Sequence, residues 1–289
     1  MRRSGTAWAA LCVTVGCALA ACGTGSPGPA SSSSWRPGTG GATALVGSWH
    51  VTEAAGAEDG TVLSLGTELS LWQRCGYLMG SWRAGGTSLF AASLAGGDGA
   101  CMPATGDPTP DWLRRASRYA VDGTGVALLA ADGTTVARLR PGASPTPGTN
   151  ILPSLAVPPV LTAELAAALA PAAPLPANLV PATRSQLVGA WVSALPRPSS
   201  GLSHDTTPGV TLAADGRYHA TDGCNGTDGR WAADDHGAIV ATEGPSTLIG
   251  CDSVPVGHWL AGATTAGFEG TVLVLVGRDG TETGRLRRA

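Results

Sequence analysis

Two copies of one sequence pattern occur in this chain, and the repeat restricts its fold more than any other feature. The segment LVGSWHV at Leu45–Val51 returns as LVGAWVS at Leu187–Ser193. A motif that begins CGYLMGSWRA at Cys75 returns as CNGTDGRWAA at Cys224, and both copies then contain a tryptophan segment and a final apolar hairpin. The offsets between these partners lie between 142 and 150 residues. Ordered landmarks at a nearly constant offset predict two domains of one fold.

The repeat and the composition around it predict five segments. Gly, Ser and Pro dominate the stretch before the first copy, and ten of the 21 prolines lie between the copies, so both stretches are typical of linkers. The predicted segments are a lipoprotein signal peptide at 1–21, a Gly/Ser/Pro tether at 22–44, a first domain at 45–140, a Pro/Ala-rich linker at 141–185 and a second domain at 186–289.

Four cysteines of the repeat are predicted to form two disulfides. Cys75 and Cys101 lie in the first copy, and Cys224 and Cys251 lie at the corresponding places in the second. Four cysteines allow three pairings, and the repeat selects the one in which each copy closes its own loop. Each such bond stabilises its domain by roughly 3 kcal/mol if it acts through chain entropy. Free buried thiols are the alternative interpretation.

The N-terminal residues have the pattern of an export signal that ends in a lipid-attachment site. Arg2 and Arg3 precede an uncharged, mostly apolar stretch that is short for a membrane-spanning helix, and LAAC follows at Leu19–Cys22. LAAC matches the bacterial lipobox, in which the peptide is cleaved before the cysteine and the cysteine is lipidated. We therefore expect Cys22 to anchor the chain on the extracytoplasmic face of the cell membrane, where disulfides persist. The alternatives are an ordinary signal peptide that contains a cysteine, or an uncleaved anchor.

Composition favours a mainly β fold and gives no indication of a nucleic-acid partner. Charged residues make up only 13% of the chain, the net charge is −3, and no stretch resembles a basic stripe. The 42 Gly and 21 Pro indicate many turns and few long helices. Apolar and polar residues alternate around Asp215-Gly216, and further Asp-Gly pairs occur at Asp132-Gly133 and Asp279-Gly280, which is the pattern of β-hairpins.

About one helix is expected in each domain. In the segment TPDWLRRASRYA, Thr109 is predicted to cap a helix with Pro110 in its first position, and Trp112 and Ala120 are predicted to share one face. The equivalent segment around Trp259 has a weaker pattern because glycines dilute it.

The linker is too apolar to be only a solvated spacer. The stretch Ile151–Val160 is expected to lie extended against the surface of a domain. A short helix is expected at Thr162–Leu169, and it should end before Pro171.

The second copy contains an ordered series of motifs around its first cysteine. The members of this series are Leu187, Gly189, Trp191, the turn Asp215-Gly216-Arg217, the triplet Gly223-Cys224-Asn225, Gly229, Trp231, Thr247, Cys251 and the segment Leu273–Leu286. In this series the chain resembles the META (HslJ-like) domain family. The first copy retains Leu45, Gly47, Trp49, Cys75 and Gly80, but it has Gly76 where the family has asparagine.

The resemblance implies two tandem, small, mainly β domains. In each, an antiparallel sheet approaches a small barrel and a helix packs against it. The resemblance also implies an envelope or secreted location, and it implies no activity.

Residues with catalytic or metal-binding chemistry are scattered along the sequence. No two of the five histidines have metal-ligand spacing on one element, and the sequence contains neither GxSxG nor HExxH. The cluster Asp222, Asn225, Asp228 departs from the EF-hand calcium pattern, and such side chains beside glycine more often form turns. We therefore predict no metal, no cofactor and no enzymatic activity.

Asn225 and Trp72 are the candidate ligand-binding residues. The Asn225 amide is either a binding group or, as we favour, occupies a positive-φ or backbone-capping position beside the disulfide. Trp49, Trp82 and Trp112 have partners in the second copy and are predicted to be core anchors, whereas Trp72 has no partner and is a candidate for surface exposure. A tryptophan-lined mouth on a small barrel would suit a lipid or a glycan.

These features predict a lipid-anchored, non-enzymatic envelope protein. It would bind a small apolar ligand, a cell-wall component or a protein partner, with a role in envelope stress. The alternatives are a secreted hydrolase that uses Asp/His chemistry, with Asp215 and His219 as candidate residues, and a purely structural surface protein.

Overall fold

The structure is a computed structural model that describes residues 41–85, 88–149, 151–198 and 206–289. These residues form two antiparallel sheets and a few short helices, so the prediction of a mainly β fold is confirmed. The predicted signal peptide, Cys22 and most of the predicted tether lie outside the described residues. In the part of the chain that is described, no helix is long and apolar enough to cross a membrane.

The first copy of the repeat forms an eight-stranded sheet. Its strands are β1 (Gly47–Thr52), β2 (Val62–Leu65), β3 (Leu69–Gln73), β4 (Gly76–Ala84), β5 (Phe90–Gly97), β6 (Arg118–Asp122), β7 (Gly125–Leu129) and β8 (Thr135–Pro141). They lie in the order β5-β4-β3-β2-β1-β8-β7-β6. A 3-10 helix at Ala42–Leu45 precedes β1, and helix α1 (Asp111–Arg115) joins β5 to β6.

The linker contains little regular structure. Its elements are a 3-10 helix at Pro153–Ala156, helix α2 (Ala163–Ala168) and the two-residue strand β9 (Val180–Pro181). Helix α3 (Arg184–Leu187) then leads into the second copy.

The second copy forms a sheet with the same strand order. Its strands are β10 (Gly189–Ser193), β11 (Gly209–Leu212), β12 (Arg217–Thr221), β13 (Gly226–Ala233), β14 (Ile239–Ala241), β15 (Ala263–Glu269), β16 (Val272–Gly277) and β17 (Glu282–Arg288). The order is β14-β13-β12-β11-β10-β17-β16-β15, with β9 added at the β15 edge. Helix α4 (Val256–Gly262) joins β14 to β15, as α1 joins β5 to β6.

Each sheet curls until its fifth and sixth strands meet. In the first copy an isolated bridge pairs Leu89 with Arg118, and in the second a bridge pairs Ala238 with Thr265. The two bridges fall at equivalent positions of the repeat. Both copies therefore have the antiparallel, barrel-like arrangement that was expected, with a helix between the strands that meet.

The first tryptophan of each copy is a buried anchor at the start of the sheet. The Trp49 indole donates a hydrogen bond to the Leu45 carbonyl at 2.8 Å, and the Trp191 indole donates to the Leu187 carbonyl at 2.7 Å. In both copies a short helical turn places the carbonyl four residues before the ring. The polar N–H is thus satisfied while the ring fills the core.

The second tryptophan of each copy ties two strands to a hairpin turn. The Trp82 indole donates to the Gly66 carbonyl at 2.8 Å, and the Trp231 indole donates to the Ala213 carbonyl at 3.0 Å. Both carbonyls lie in the turn between the second and third strands of their copy. Both rings are buried, so the prediction of shared core anchors is confirmed for these two pairs.

The third pair of tryptophans is less symmetrical. Trp112 on α1 is buried, whereas Trp259 on α4 is only partly buried and packs directly on Gly284. Helix α4 instead contributes Val256 and Leu260 to the core.

The three Asp-Gly pairs lie where the sequence places them, at the tips of hairpins. Asp215-Gly216 connects β11 to β12, Asp132-Gly133 connects β7 to β8, and Asp279-Gly280 connects β16 to β17. The glycines have φ values of 81°, 84° and 84°, which residues without a Cβ adopt most readily.

Helix α1 differs from the prediction at both ends. Thr109 does not cap it: the Thr109 hydroxyl is buried and accepts a hydrogen bond from the Leu94 backbone at 3.0 Å. The helix has its N-cap at Pro110 and ends at Arg115, and Ala120 lies on β6 rather than on the helix face. Pairing of β6 with β7 thus replaces the last predicted turns of helix.

The linker forms the predicted helix, but the stretch before that helix is less extended than predicted. Helix α2 begins after Thr162, whose hydroxyl accepts a hydrogen bond from the Leu165 backbone at 3.1 Å, and it ends at Ala168, as predicted. Upstream, Ile151 and Ala156 pack on the first copy, but a 3-10 helix interrupts the expected extended path.

The two sheets pack against each other through apolar side chains. Leu89 and Ala91 of the first copy form one buried cluster with Ala232 and Val240 of the second. The contact involves β4 and β5 on one side and β13 and β14 on the other, which are equivalent strands of the repeat. The two copies are therefore related across this interface as the subunits of a symmetric dimer are.

A hydrogen bond between equivalent residues at the same interface fits this approximate two-fold symmetry. The Ser93 hydroxyl donates to the Thr242 hydroxyl at 2.9 Å, and each of these residues follows the strand partner of the second tryptophan in its copy. The Ser81 hydroxyl donates to the Glu243 carbonyl at 2.7 Å. Ser93 and Thr242 thus occupy equivalent positions and mark the local two-fold axis.

A glycine shared by the two copies allows close packing within each sheet. A Cβ at Gly80 in β4 would overlap the Ser93 carbonyl, and a Cβ at Gly229 in β13 would lie 2.8 Å from the Thr242 hydroxyl and against the Tyr218 ring. Neither place has room for a side chain.

We predict that Gly80→Ala lowers the free energy of unfolding by about 1–3 kcal/mol, because the added methyl group forces β5 away from β4. Gly99→Ala is the matched control, since a Cβ there meets nothing within 4 Å. Urea denaturation of both variants measures the difference. Equal stability of the two variants would contradict the packing described here.

Candidate functional site

The two disulfides join the cysteines that the repeat pairs. Cys75 is bonded to Cys101 with a Cα–Cα distance of 5.1 Å, and Cys224 is bonded to Cys251 with a distance of 6.6 Å. Asp222 lies with Cys224 and Cys251 in a group whose potential metal-ligand atoms are within 4.8 Å of one another. Because both sulfurs are already bonded to each other, this group lacks the free thiolates that a metal site needs.

The Asp222 carboxylate organises the turn around Cys224. One of its oxygens accepts hydrogen bonds from the Cys224 backbone at 2.8 Å and the Asn225 backbone at 2.6 Å. Partial burial raises the pKa of Asp222, but the hydrogen bonds from Asn225 and Cys224 outweigh it, so this pKa lies below its ordinary value. The carboxylate therefore stabilises the turn in its charged form.

Asn225 fastens a second loop to that turn. Its amide oxygen accepts hydrogen bonds from the Thr247 hydroxyl at 2.9 Å and the Ile249 backbone at 2.6 Å, and its amide nitrogen donates to Asp222 and to the Ile249 carbonyl, each at 3.0 Å. Among the described non-glycine residues only Glu53 and Ser88 have positive φ, so the positive-φ interpretation of Asn225 is wrong. The backbone-capping interpretation agrees with these contacts, which engage both atoms of the amide.

Trp72 is buried, and the suggestion that it is exposed for ligand binding is wrong. Its ring is 4% exposed, stacks on Tyr77 at 5.2 Å and packs with Val62 and with Ala143 and Ile151 of the linker. The linker thus covers the part of the first sheet that contains Trp72, which the sequence had suggested to be exposed.

The cores of both copies are filled by side chains. The largest fully buried residues include Trp191 and Trp231 in the second copy and Phe90 in the first. A ligand inside these cores would have to displace them, which leaves the surface between the copies as the place for a site.

Among the described histidines, His219 has the closest acidic partner. Its Nδ1 lies 2.9 Å from the Asp228 carboxylate on the neighbouring strand β13, and both side chains are exposed. Within the described residues no hydroxyl or thiol hydrogen-bonds to His219. Asp215, the other residue of the hydrolase alternative, forms its ion pair with Arg217 at 2.8 Å instead.

A cleft of about 330 Å³ lies between the two copies, and we call it the arginine cleft. It is bordered by the end of α1 and the β7–β8 turn of the first copy, and by the β11–β12 turn of the second. Its charged lining residues are Arg114, Arg115, Arg184, Arg230, Asp132 and Asp215, and Trp231 contributes an aromatic surface.

Arg230 is the most deeply buried cation of the arginine cleft. It is 8% exposed, and its Nη2 donates to the Asp215 carbonyl at 2.9 Å and to the Arg114 carbonyl. Burial lowers the pKa of Arg230, and the carboxylates of Asp215 and Asp107 oppose that effect from a distance. Within the described residues, no carboxylate lies within ion-pair distance of this guanidinium.

Arg184 lies on the aromatic surface of the cleft. Its guanidinium carbon is 4.7 Å from the centre of the Trp231 ring, and its Nη2 donates to the Ala214 carbonyl at 2.8 Å. Its Nη1 is buried and has no hydrogen-bond partner among the described residues. Burial lowers the pKa of Arg184, which Asp235 and Asp215 partly offset. Stacking on the ring orients this cation without neutralising it.

Sequence reasoning identified neither Arg184 nor Arg230 as a site residue. The only available signal was that Arg230 replaces Ser81 of the first copy at an otherwise matching position. Arg114 and Arg230 are 116 residues apart in sequence, and only the packing of one copy on the other brings them together.

Comparison with known proteins gives no match: no family model, curated protein or solved structure is similar to this chain.

We predict that Asp222→Asn lowers the free energy of unfolding at pH 7 by about 1 kcal/mol, because the charged hydrogen bonds to the turn weaken. The pKa of Asp222 is lowered from 3.8, so its contribution is complete above that value and is lost as the pH falls through the folded-state pKa. Urea denaturation at pH 7 and pH 2.5 should therefore show a difference that shrinks in acid.

Asp59→Asn is the control, because the Asp59 side chain is exposed and accepts no hydrogen bond from the described residues. A difference between Asp222→Asn and the parent chain that stays constant down to pH 2.5 would show that the charge of Asp222 is not what stabilises the turn.

Proposed function

We propose that this protein is a lipid-anchored, extracytoplasmic binding protein built from two META (HslJ-like) domains, and that it binds its ligand in the arginine cleft. The lipobox at Leu19–Cys22 supports the anchor and the location. Two bonded cysteine pairs are consistent with an oxidising compartment. The motif series around Cys224 supports the family, and the first copy is its diverged member.

The observation on which the binding role depends is the composition of the arginine cleft. A buried guanidinium without a carboxylate partner is unfavourable for folding, and proteins retain such groups chiefly where they act on a ligand. Arg230 has this property, and it lies beside an aromatic surface in a cleft large enough for a small molecule. The proposal therefore replaces the barrel mouth considered from the sequence with the seam between the copies.

A secreted hydrolase is the second candidate, and the contact between His219 and Asp228 favours it. An imidazole oriented by a carboxylate is one part of a general-base arrangement. Within the described residues no hydroxyl or thiol nucleophile is hydrogen-bonded to the imidazole, and the side chains of His219 and Asp228 are both exposed. Binding without turnover is therefore the function that we favour.

The proposal predicts that radiolabelled palmitate is incorporated into the full chain and that Cys22→Ser abolishes this incorporation and releases the protein from the membrane. It also predicts saturable quenching of tryptophan fluorescence when the anchored protein is titrated with peptidoglycan fragments or with lipid. Arg230→Gln should weaken that quenching, whereas the exposed, distant variant Arg74→Gln should leave it unchanged.

Absence of palmitate from the parent chain would contradict the anchor. Saturable quenching that is insensitive to Arg230→Gln would contradict the choice of site. In a hydrolase screen, turnover that disappears in His219→Gln would favour the second candidate over binding.

A further inference from the structure

We propose that the arginine cleft recognises an oxyanion, which is either a carboxylate or a phosphate group on a small ligand. This inference rests on the proposed function and adds the chemical class of the ligand. The groups that would receive the oxyanion are Arg230, Arg184 and Arg115, and the aromatic surface beside them is Trp231.

The charges of the cleft are unequal and the acids in it are already engaged. The Asp215 carboxylate binds Arg217, and the Asp132 carboxylate accepts hydrogen bonds from the backbone and hydroxyl of Thr134. Of the four lining arginines, Arg114 alone has an ion pair, with Asp111 at 2.9 Å. The remaining three guanidinium groups have no carboxylate within 4.0 Å among the described residues. The cleft is thus a local concentration of positive charge on a chain with a net charge of −3.

Arg230 also has guanidinium N–H groups that are not hydrogen-bonded to the described residues. Only Nη2 of its guanidinium makes hydrogen bonds within the described part of the chain, to two carbonyl oxygens. Nε and Nη1 have no described partner, and neither is among the fully buried, unsatisfied atoms. A guanidinium presents its N–H groups as a planar fork that suits the two oxygens of a carboxylate or phosphate. Two donors of that fork therefore have no described partner and are available to a ligand in the cleft.

The repeat supplies an internal comparison, because the approximate two-fold axis generates a second cleft. This second cleft of about 320 Å³ is lined by residues at equivalent positions, among them Trp82 for Trp231, Val240 for Ala91 and Ala263 for Ala116. We call it the linker cleft, because helix α2 lies along it.

The linker cleft has an occupant from the chain itself. Leu165 and Leu169 of the α2 segment are buried there, and Arg278 donates a hydrogen bond to the Ala170 carbonyl at the end of that segment. Arg278, a cation of the linker cleft, therefore has a hydrogen-bond acceptor that the linker supplies. In the arginine cleft the lining residue from the linker is a further cation, Arg184, and no linker oxygen reaches Arg230 within the described residues.

The comparison indicates what kind of group is missing from the arginine cleft. The two clefts occupy equivalent positions and each contains a tryptophan. Arg230 lines the arginine cleft, whereas Ser81, its counterpart in the first copy, does not line the linker cleft and donates a hydrogen bond to the Glu243 carbonyl. In the linker cleft, apolar side chains of the α2 segment fill the space, and the Ala170 carbonyl accepts a hydrogen bond from Arg278. The arginine cleft contains more positive charge, and within the described residues no linker oxygen accepts a hydrogen bond from Arg230, so a free oxyanion is the complementary ligand. A volume of about 330 Å³ admits a small molecule rather than a folded partner.

The experiment is a calorimetric titration of the full chain, in detergent, with inorganic phosphate in one arm and malonate in the other. Sodium chloride at matched ionic strength is the reference, because screening alone affects all surface charges. We expect saturable binding of at least one anion and weakening by about tenfold or more in Arg230→Gln, since hydrogen bonds to charged groups are lost. Arg115→Gln, at the exposed rim of the cleft, should weaken binding by a smaller factor, and Arg74→Gln should not change it.

Two readouts make the result specific. In NMR spectra, the side-chain Nε–H signals of Arg230 and Arg184 should shift on titration and saturate at the same concentration as the heat. Circular dichroism shows whether Arg230→Gln is folded, and Arg115→Gln provides the same test at a position where folding is not at risk. Binding of phosphate alone, or of malonate alone, identifies which oxyanion the cleft prefers.

Saturable binding of neither anion would overturn the inference, as would binding that Arg74→Gln weakens as much as the cleft variants do. If a neutral glycan or lipid quenches the tryptophan fluorescence while neither anion binds, the oxyanion inference fails and the proposed binding function stands. If no ligand of any class binds, both fail.

Discussion

The packing of one copy of the repeat on the other is the interaction on which the surface of this protein depends. Equivalent strands meet across an approximate two-fold axis, with Ser93 hydrogen-bonded to Thr242 at its centre and an apolar cluster around Val240. Each copy also has a core cluster of its own, with its own tryptophans, and its own disulfide. The two clefts could not exist without the contact between the copies, because each is bordered by a helix end of one copy and a hairpin turn of the other.

The approximate symmetry also explains why the two clefts differ. The repeat places the same surface twice at the interface between the copies, and in a single chain the two copies can differ in sequence. On one side the linker helix lies in the cleft and buries Leu165 and Leu169. On the other, Arg184 and Arg230 line the cleft, and neither guanidinium forms an ion pair with the described residues. Under the function proposed above, one cleft holds the linker against the two copies and the other binds a ligand.

Local sequence patterns predicted most of the fold, because they act over a few residues. Asp-Gly pairs mark hairpin tips, Thr162 and Pro171 bound helix α2, and the repeat itself selects the cysteine pairing. Features that depend on distant contacts were not predictable. Thr109 has the local pattern of a helix cap, but its hydroxyl accepts a hydrogen bond from the backbone of Leu94, fifteen residues away. Trp72 is covered by linker residues that approach it only in the folded chain. The arginine cleft is of the same kind, since no periodicity or motif links its residues.

The central claim is that the two copies meet at the strands described here, and a cross-link tests it most directly. The side-chain oxygens of Ser93 and Thr242 are 2.9 Å apart, so cysteines at both positions lie within reach of a disulfide. After mild oxidation of the Ser93→Cys, Thr242→Cys chain, mass spectrometry of the non-reduced digest should show a peptide that joins positions 93 and 242 beside the two native bonds. The pair Ser93→Cys, Ser185→Cys should give no such link. Free thiols at positions 93 and 242 in a chain with intact native disulfides would contradict the interface, and with it the clefts that the interface creates.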